Sequence, residues 1–337
     1  MKKCFKALLI CILAFFMVAC SNTATKPNED NKDNNNSEKV NYVTVKDIHG
    51  EVKVPTNPER IVSLDNRTFE TLSDWNIKLL AVPKLVMAKN SKYVLDENVK
   101  DIGNHREPNF EILASLDPQL VIVGQRFAKY YQQIKELVPN AAVVDFSFDV
   151  SNKAKNPGQN LVNGFIEITN TLATIFGKDA EAKSLIERFN NSINAVKSAY
   201  NKDDKVMSVV VSGGKIGYAA PMYGRVWGPL YEIFNFTPSL EVKDSTSDHK
   251  GDDISVEAIA NSNPDWLFVL DRDANTNNNG SKDSLPAKDV IAGSEALKNV
   301  NAIKNNHIVI APDDTYVNES IQTFIKIFET LADVLKK

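Results

Sequence analysis

Beyond residue 20 the chain contains no cysteine, since Cys4, Cys11 and Cys20 are all three that it has. A disulfide framework and a cysteine zinc site are thereby excluded from the body of the protein. Histidine is almost as scarce, at four scattered residues (His49, His105, His249 and His307). That scarcity argues against a manganese or zinc binder, which would cluster histidines with carboxylates. There is no basic excess, with 39 Lys and Arg against 43 Asp and Glu, so nucleic acid is not an expected partner. A Gly-x-Ser-x-Gly elbow is missing; Ser212-Gly213-Gly214 comes nearest and reads as a turn. A Walker A loop and a His-Glu-x-x-His helix are missing too. An exported hydrolase on an α/β scaffold is the rival these absences weaken, and no catalytic residue is assigned.

What is present begins with an address. Lys2, Lys3 and Lys6 precede an apolar run from Ala7 to Ala19. Thirteen residues fall short of the roughly 20 needed to span a bilayer, but they suit the apolar region of a secretory signal. The run ends in Met17-Val18-Ala19-Cys20, which resembles a bacterial lipobox with Met17 where Leu is usual. Residues 1–19 are expected to be removed and Cys20 lipidated. Residues 20–40 are polar and form a tether. Loss of three lysines takes the formal charge from -4 to about -7, so the lipid anchor and not charge would hold the chain at a membrane. The expected location is the outer face of the cytoplasmic membrane, or the periplasmic side in a Gram-negative cell.

The body carries a diverged repeat. Asn109-Phe-Glu-Ile-Leu-Ala-Ser-Leu-Asp-Pro-Gln-Leu-Val-Ile-Val123 aligns with Ser255-Val-Glu-Ala-Ile-Ala-Asn-Ser-Asn-Pro-Asp-Trp-Leu-Phe-Val269 at an offset of 146. Each copy predicts a capped helix start with Glu111 or Glu257 in the first turn, where the macrodipole favours a carboxylate. The helix stops before proline, and an unbroken apolar strand follows, Leu120–Val123 or Trp266–Leu270. Arg126 and Arg272 stand three residues past the two copies. Further strands are expected at Arg60–Leu64, Leu79–Val82, Ala142–Phe146, Met207–Ser212 and Ile308–Ala311. Two helices lie between the halves: Leu161–Phe176, broken by Gly177, and Asp179 to about Tyr200, long enough to bridge two lobes. The fold class is α/β, with two Rossmann-like lobes on central parallel sheets, joined by one long α-helix, and a ligand cleft between the lobes. Boundaries are placed at 41–160, 161–204 and 205–337.

Ligands bind beyond the carboxyl ends of strands in such sheets. Arg126 and Arg272 therefore point to the cleft, Arg67 is a further candidate on the same ground, and Tyr316 follows the strand Ile308–Ala311. His105 lies in a loop that could face the cleft. His49 and His307 are expected to be solvated.

Several segments together resemble the periplasmic-binding-protein class that serves iron-siderophore and cobalamin ABC importers, nearest its catecholate branch. They are Val52-Lys-Val-Pro-Thr-Asn-Pro-Glu-Arg-Ile-Val62, the two repeats, Gly224-Arg225-Val226-Trp227-Gly228, Asp248-His249-Lys250-Gly251 and Pro312-Asp-Asp-Thr-Tyr316. The resemblance implies a ferric siderophore as transported ligand, no intrinsic cofactor, and an ABC importer permease dimer as partner of a monomeric binding protein. Heme and cobalamin remain as alternatives. It adds Arg225 and His249 to the ligand-binding residues and gives Glu111 and Glu257 a docking role on the permease. His249 and Tyr316 are expected to reach iron directly only when a tetradentate siderophore leaves two positions open.

Overall fold

The structure is a computed structural model that describes residues 41–104, 106–248, 250–275 and 285–336. Cys20, the tether, His105 and His249 lie outside the described residues. The chain opens with a hairpin of β1 (Tyr42–Asp47) and β2 (Gly50–Pro55). The first sheet follows, from β3 (Ile61–Ser63), β4 (Ala81–Val82), β5 (Lys100–Asp101), β6 (Leu120–Val123) and β7 (Ala142–Asp145). Its order is β5-β4-β3-β6-β7 and every pairing is parallel. The second sheet uses β8 (Lys205–Ser212), β9 (Lys215–Tyr218), β10 (Thr237–Pro238), β11 (Trp266–Asp271) and β12 (Ile308–Ile310). Its order is β10-β8-β11-β12, parallel throughout, with β9 antiparallel on β8.

The central strands β6 and β11 are buried along their whole length. That explains their unbroken apolar runs, since both faces of a parallel sheet are covered by helices. The two repeat copies fold alike. Asn109 Oδ1 accepts from the Ile112 amide at 3.0 Å and Ser255 Oγ from the Ala258 amide at 3.1 Å, capping the helices Phe110–Ser115 and Val256–Asn261. Asp117 and Asn263, also 146 apart, both turn left-handed at φ 42° and 46° just before their prolines. Asp and Asn tolerate that conformation better than most residues.

The helix Pro157–Phe176 carries proline in its first turn and ends at Gly177, whose φ of 62° suits a left-handed cap. Leu161 and Phe165 pack into the core around β8 and β11, whereas Ile168, Leu172 and Phe176 pack into the core around β3 and β6. The next helix, Asp179–Ala199, runs back from Ala182 in the core around β3 and β6 to Val196 in the core around β8 and β11. Two antiparallel helices thus span both lobes. The last helix, Ile321–Val334, adds a polar seam between lobes: Thr71 donates to Gln322 at 3.1 Å and Ser320 to Glu70 at 2.6 Å.

Some elements escape a reading of pattern. β5 and β10 are two-residue strands, too short for any period. β9 is the return of a hairpin whose turn, Gly213-Gly214, has φ of 58° and 70°. Paired positive φ values at a two-residue loop are what a twisted hairpin demands. The Gly-rich loop of Arg225, expected from the sequence to come after the strand Met207–Ser212, therefore follows β9.

Candidate functional site

In the first sheet the chain winds outward through β4 and β5 on one side of β3 and through β6 and β7 on the other. The direction changes between β3 and β6, and such a switch point leaves a crevice beyond the strand ends. The loops after those two strands carry Arg67 and Arg126. In the second sheet the change falls between β8 and β11, whose ends carry Ser212 and Arg272. Arg272 Nη1 donates to Ser212 Oγ at 3.0 Å, closing that switch point, and to Asp273 Oδ1 at 3.1 Å.

Arg225 enters from the loop after β9. Its position is held by an unusual backbone: Val226 has φ 65° and the Trp227 amide bonds the Arg225 carbonyl at 2.7 Å. This is a γ-turn of the strained kind, with a β-branched residue at its centre. Burial compensates it, because Trp227 is fully buried against Phe268 at 5.2 Å between ring centroids. Gly224 is required one step earlier, since a Cβ there would stand 2.5 Å from the backbone of Ala219.

These loops bring the predicted residues together. The Tyr316 ring carries the Arg225 guanidinium at 4.8 Å and the Arg272 guanidinium at 5.0 Å. Arg67 lies over the Phe148 ring at 3.6 Å and donates to Gln125 Oε1 at 3.1 Å. Arg67, Gln125 and Phe148 from one lobe and Tyr223, Arg225 and Ser247 from the other line one cavity. Arg67 thus earns its place as a cleft residue, at 3 % exposure.

One carboxylate in this cluster has no counterpart in the pattern reading. Glu319 is buried, pairs through Oε1 with Arg225 and stands 4.0 Å through Oε2 from Arg67. It precedes the cap Ser320, so in sequence it passes for one more acid near a helix start. Among the described residues Arg126 has neither an ion-pair nor a hydrogen-bond partner. Burial, and after it the guanidinium of Arg225, lower its proton affinity. Arg225 is shifted upward instead: burial opposes its charge, but Glu319 and then Tyr316 outweigh that. Among the described residues the Nε atoms of Arg225 and Arg272 are buried without a hydrogen-bond partner. Arg67 from one lobe and Arg225 from the other line the cavity, with Arg126, Arg272 and Tyr316 beside them outside its lining, and guanidiniums so gathered suit a planar, multiply charged anion.

The remaining candidates fall elsewhere. Glu111 and Glu257 are exposed on the first turns of their helices, away from the cavity lining. His49 is exposed as expected, its side chain 41 % accessible, while it stacks on Tyr131 at 3.9 Å and Nε2 lies 3.2 Å from the buried carboxylate of Asp145. His307 likewise stacks on Trp266 at 4.2 Å, with Nδ1 3.2 Å from the Asp265 carbonyl. Aromatic neighbours brought in by the fold hold both rings.

The chain is similar over its full length to the petrobactin-binding protein YclQ of Bacillus subtilis, at 27% identity with 100% of each chain covered. It is 23% identical to the ferric-anguibactin-binding protein FatB of Vibrio anguillarum, covering 85% of this chain and 84% of the other. The crystal structure of YclQ superposes with a TM-score of 0.72 at 25% identity, covering 88% of this chain and 99% of that one. The catecholate-siderophore binding protein VctP of Vibrio cholerae shares the fold, with a TM-score of 0.71 at 21% identity over 88% and 99% of the two chains. The sequence pattern of the periplasmic binding protein family matches residues 61–315. The chain belongs to that family, and is a binding protein and not an enzyme.

Proposed function

We propose that this protein is an extracytoplasmic lipoprotein, anchored through Cys20, that captures a ferric siderophore of the catecholate type and delivers it to an ABC importer. The observation that carries this reading is the arginine cluster built at both switch points around Tyr316. A ferric tris-catecholate is a trianion whose oxygens accept guanidinium hydrogen bonds, and arginine meets them with a fixed, permanently charged fork. The petrobactin-binding relative and the catecholate-binding structure support the same class. Cobalamin suits the site less, because it calls for more aromatic wall and fewer cations. Fluorescence-quench titration tests the assignment. Ferric catecholates should bind, and heme and cobalamin should not.

With a siderophore that offers only four donors, two positions on iron stay open. His249 and Tyr316 are the protein groups that would close them, the phenol losing its proton to the metal. Tyr316→Phe should then weaken a four-donor ferric complex strongly and a six-donor complex little. Equal loss of both would make Tyr316 a wall of the pocket. Absorption spectra of the two complexes provide the check, since phenolate ligation adds a charge-transfer band.

Delivery is assigned to Glu111 and Glu257. Their repeat-related placement, one per lobe and exposed, fits a permease dimer that offers two equivalent contacts. Replacing both by alanine should leave ligand affinity unchanged in the purified protein and impair uptake in cells. Loss of binding with an intact fold would count against docking.

A further inference from the structure

Glu319 sits where an anionic ligand would be expected to find only cations. It is 6 % exposed and belongs to the lobe of β8 and β11, yet it reaches guanidiniums of both lobes. Arg225 comes from its own lobe and Arg67 from the other. Its charge also acts on Arg126 and on Asp65. Asp273 pairs with Arg272, so Glu319 is the carboxylate common to the remaining three arginines. A carboxylate at this position has two consequences. It holds Arg67 and Arg225 in place while the lobes carry no ligand, so their mutual repulsion is offset. It also opposes every negative charge that a ligand brings.

We propose that Glu319 is a built-in counter-anion that sets the charge preference of the cleft: it bridges the lobes through Arg67 and Arg225, and the ligand's own oxygens compete with it for those guanidiniums. The binding arm of the test rests on the siderophore reading above. A second arm does not.

The probes are gallium(III) and germanium(IV) tris-catecholate, which have the same shape but are a trianion and a dianion. Glu319→Gln keeps the size of the side chain and removes its charge. Because the Coulomb energy scales with the ligand's charge, a gain of about tenfold for the trianion implies about fivefold for the dianion, so preference for the trianion widens about twofold. Glu319→Asp keeps the charge but draws it back by one methylene, and its preference should fall between wild type and Glu319→Gln. Had Glu319 only a structural role, both variants would weaken both complexes alike and leave the ratio unmoved. That result would overturn the proposal, and so would an unchanged affinity for each complex.

The second arm needs no siderophore. In low-salt buffer, millimolar sulfate should raise the melting temperature of Glu319→Gln, and to a lesser degree of Glu319→Asp, more than that of wild type. The added anion then replaces the missing counter-charge. An equal sulfate response in wild type and variants would also overturn the proposal. If wild type binds neither tris-catecholate, the catecholate reading fails while the sulfate response still decides the role of Glu319.

Discussion

Arg126→Ala, Arg225→Ala and Arg272→Ala are each expected to weaken siderophore binding by about 1.5–3 kcal/mol, the range for hydrogen bonds to charged groups. That corresponds to roughly 10- to 150-fold in affinity. Their effects on the ligand-free protein should differ, because their surroundings differ. Arg126 is partly buried with no partner among the described residues, and burial and Arg225 already disfavour its charge. Its removal should leave the melting temperature unchanged or raise it, the mark of a residue kept for binding at a cost in stability. Arg225→Ala strands Glu319 as a buried carboxylate whose nearest remaining guanidinium is 4.0 Å away. It should lower the melting temperature as well as the affinity. Arg272→Ala falls between, since the Asp273 carboxylate still accepts from the Gly213 amide of the β8–β9 turn and the Ser212 hydroxyl is free to turn. Titration calorimetry with parallel melting curves provides the check. Unchanged affinity in all three variants would refute the assignment of the cleft.

The arginines were legible in sequence for a topological reason. Arg126 and Arg272 sit at equal distances past two copies of one helix-strand unit, and strand ends in parallel sheets converge on the crevice. The matched caps at Asn109 and Ser255 and the matched left-handed residues Asp117 and Asn263 show how far the two copies agree. Glu319 was not legible, because its partners Arg67 and Arg225 are 252 and 94 residues away in the chain and belong to different lobes. A buried ion pair leaves no local period or composition to read. The same holds for His49 and Asp145, which meet only when the hairpin β1-β2 lies against β7. The helix Asp179–Ala199 and the end of its predecessor at Gly177 are legible in sequence, since apolar periodicity and Gly177 are local signals, whereas the predecessor starts one turn before the expected Leu161, at Pro157. The two-residue strands β5 and β10 owe their place to the neighbours they pair with.

Asp65 should make the stability of this protein fall as pH rises from about 4 to about 7. It stands two residues past the end of β3 and is 1 % exposed. The backbone of Gly124 lies so close that a Cβ there would stand 2.1 Å from Asp65 Oδ1. That oxygen accepts from the Arg67 amide at 3.2 Å, while Oδ2 has no hydrogen-bond partner among the described residues. Burial pushes the carboxyl up to about 7, with Arg67 pulling the other way and Asp145 and Glu319 adding to the rise. In the unfolded chain an aspartate titrates near 3.9. Below that value both states hold the proton and Asp65 contributes no pH dependence. Between the two values the folded chain keeps a proton that the unfolded chain has lost, so each rise in pH favours unfolding. The loss is at most about 1.4 kcal/mol per pH unit, on the order of 4 kcal/mol over the window, and it is complete above about 7. Asp65→Asn removes the titrating group and should match wild type near pH 4 but exceed its stability at pH 8. Urea unfolding at a series of pH values measures this, and an equal slope in both proteins would refute it. The same group couples to the ligand. A trianion beside Arg67 disfavours the Asp65 carboxylate further, so binding near pH 7 should draw in a proton. Calorimetry in buffers of different ionisation enthalpy should show that uptake in wild type and lose it in Asp65→Asn, where Arg67 remains to hold the ligand and only the proton is gone.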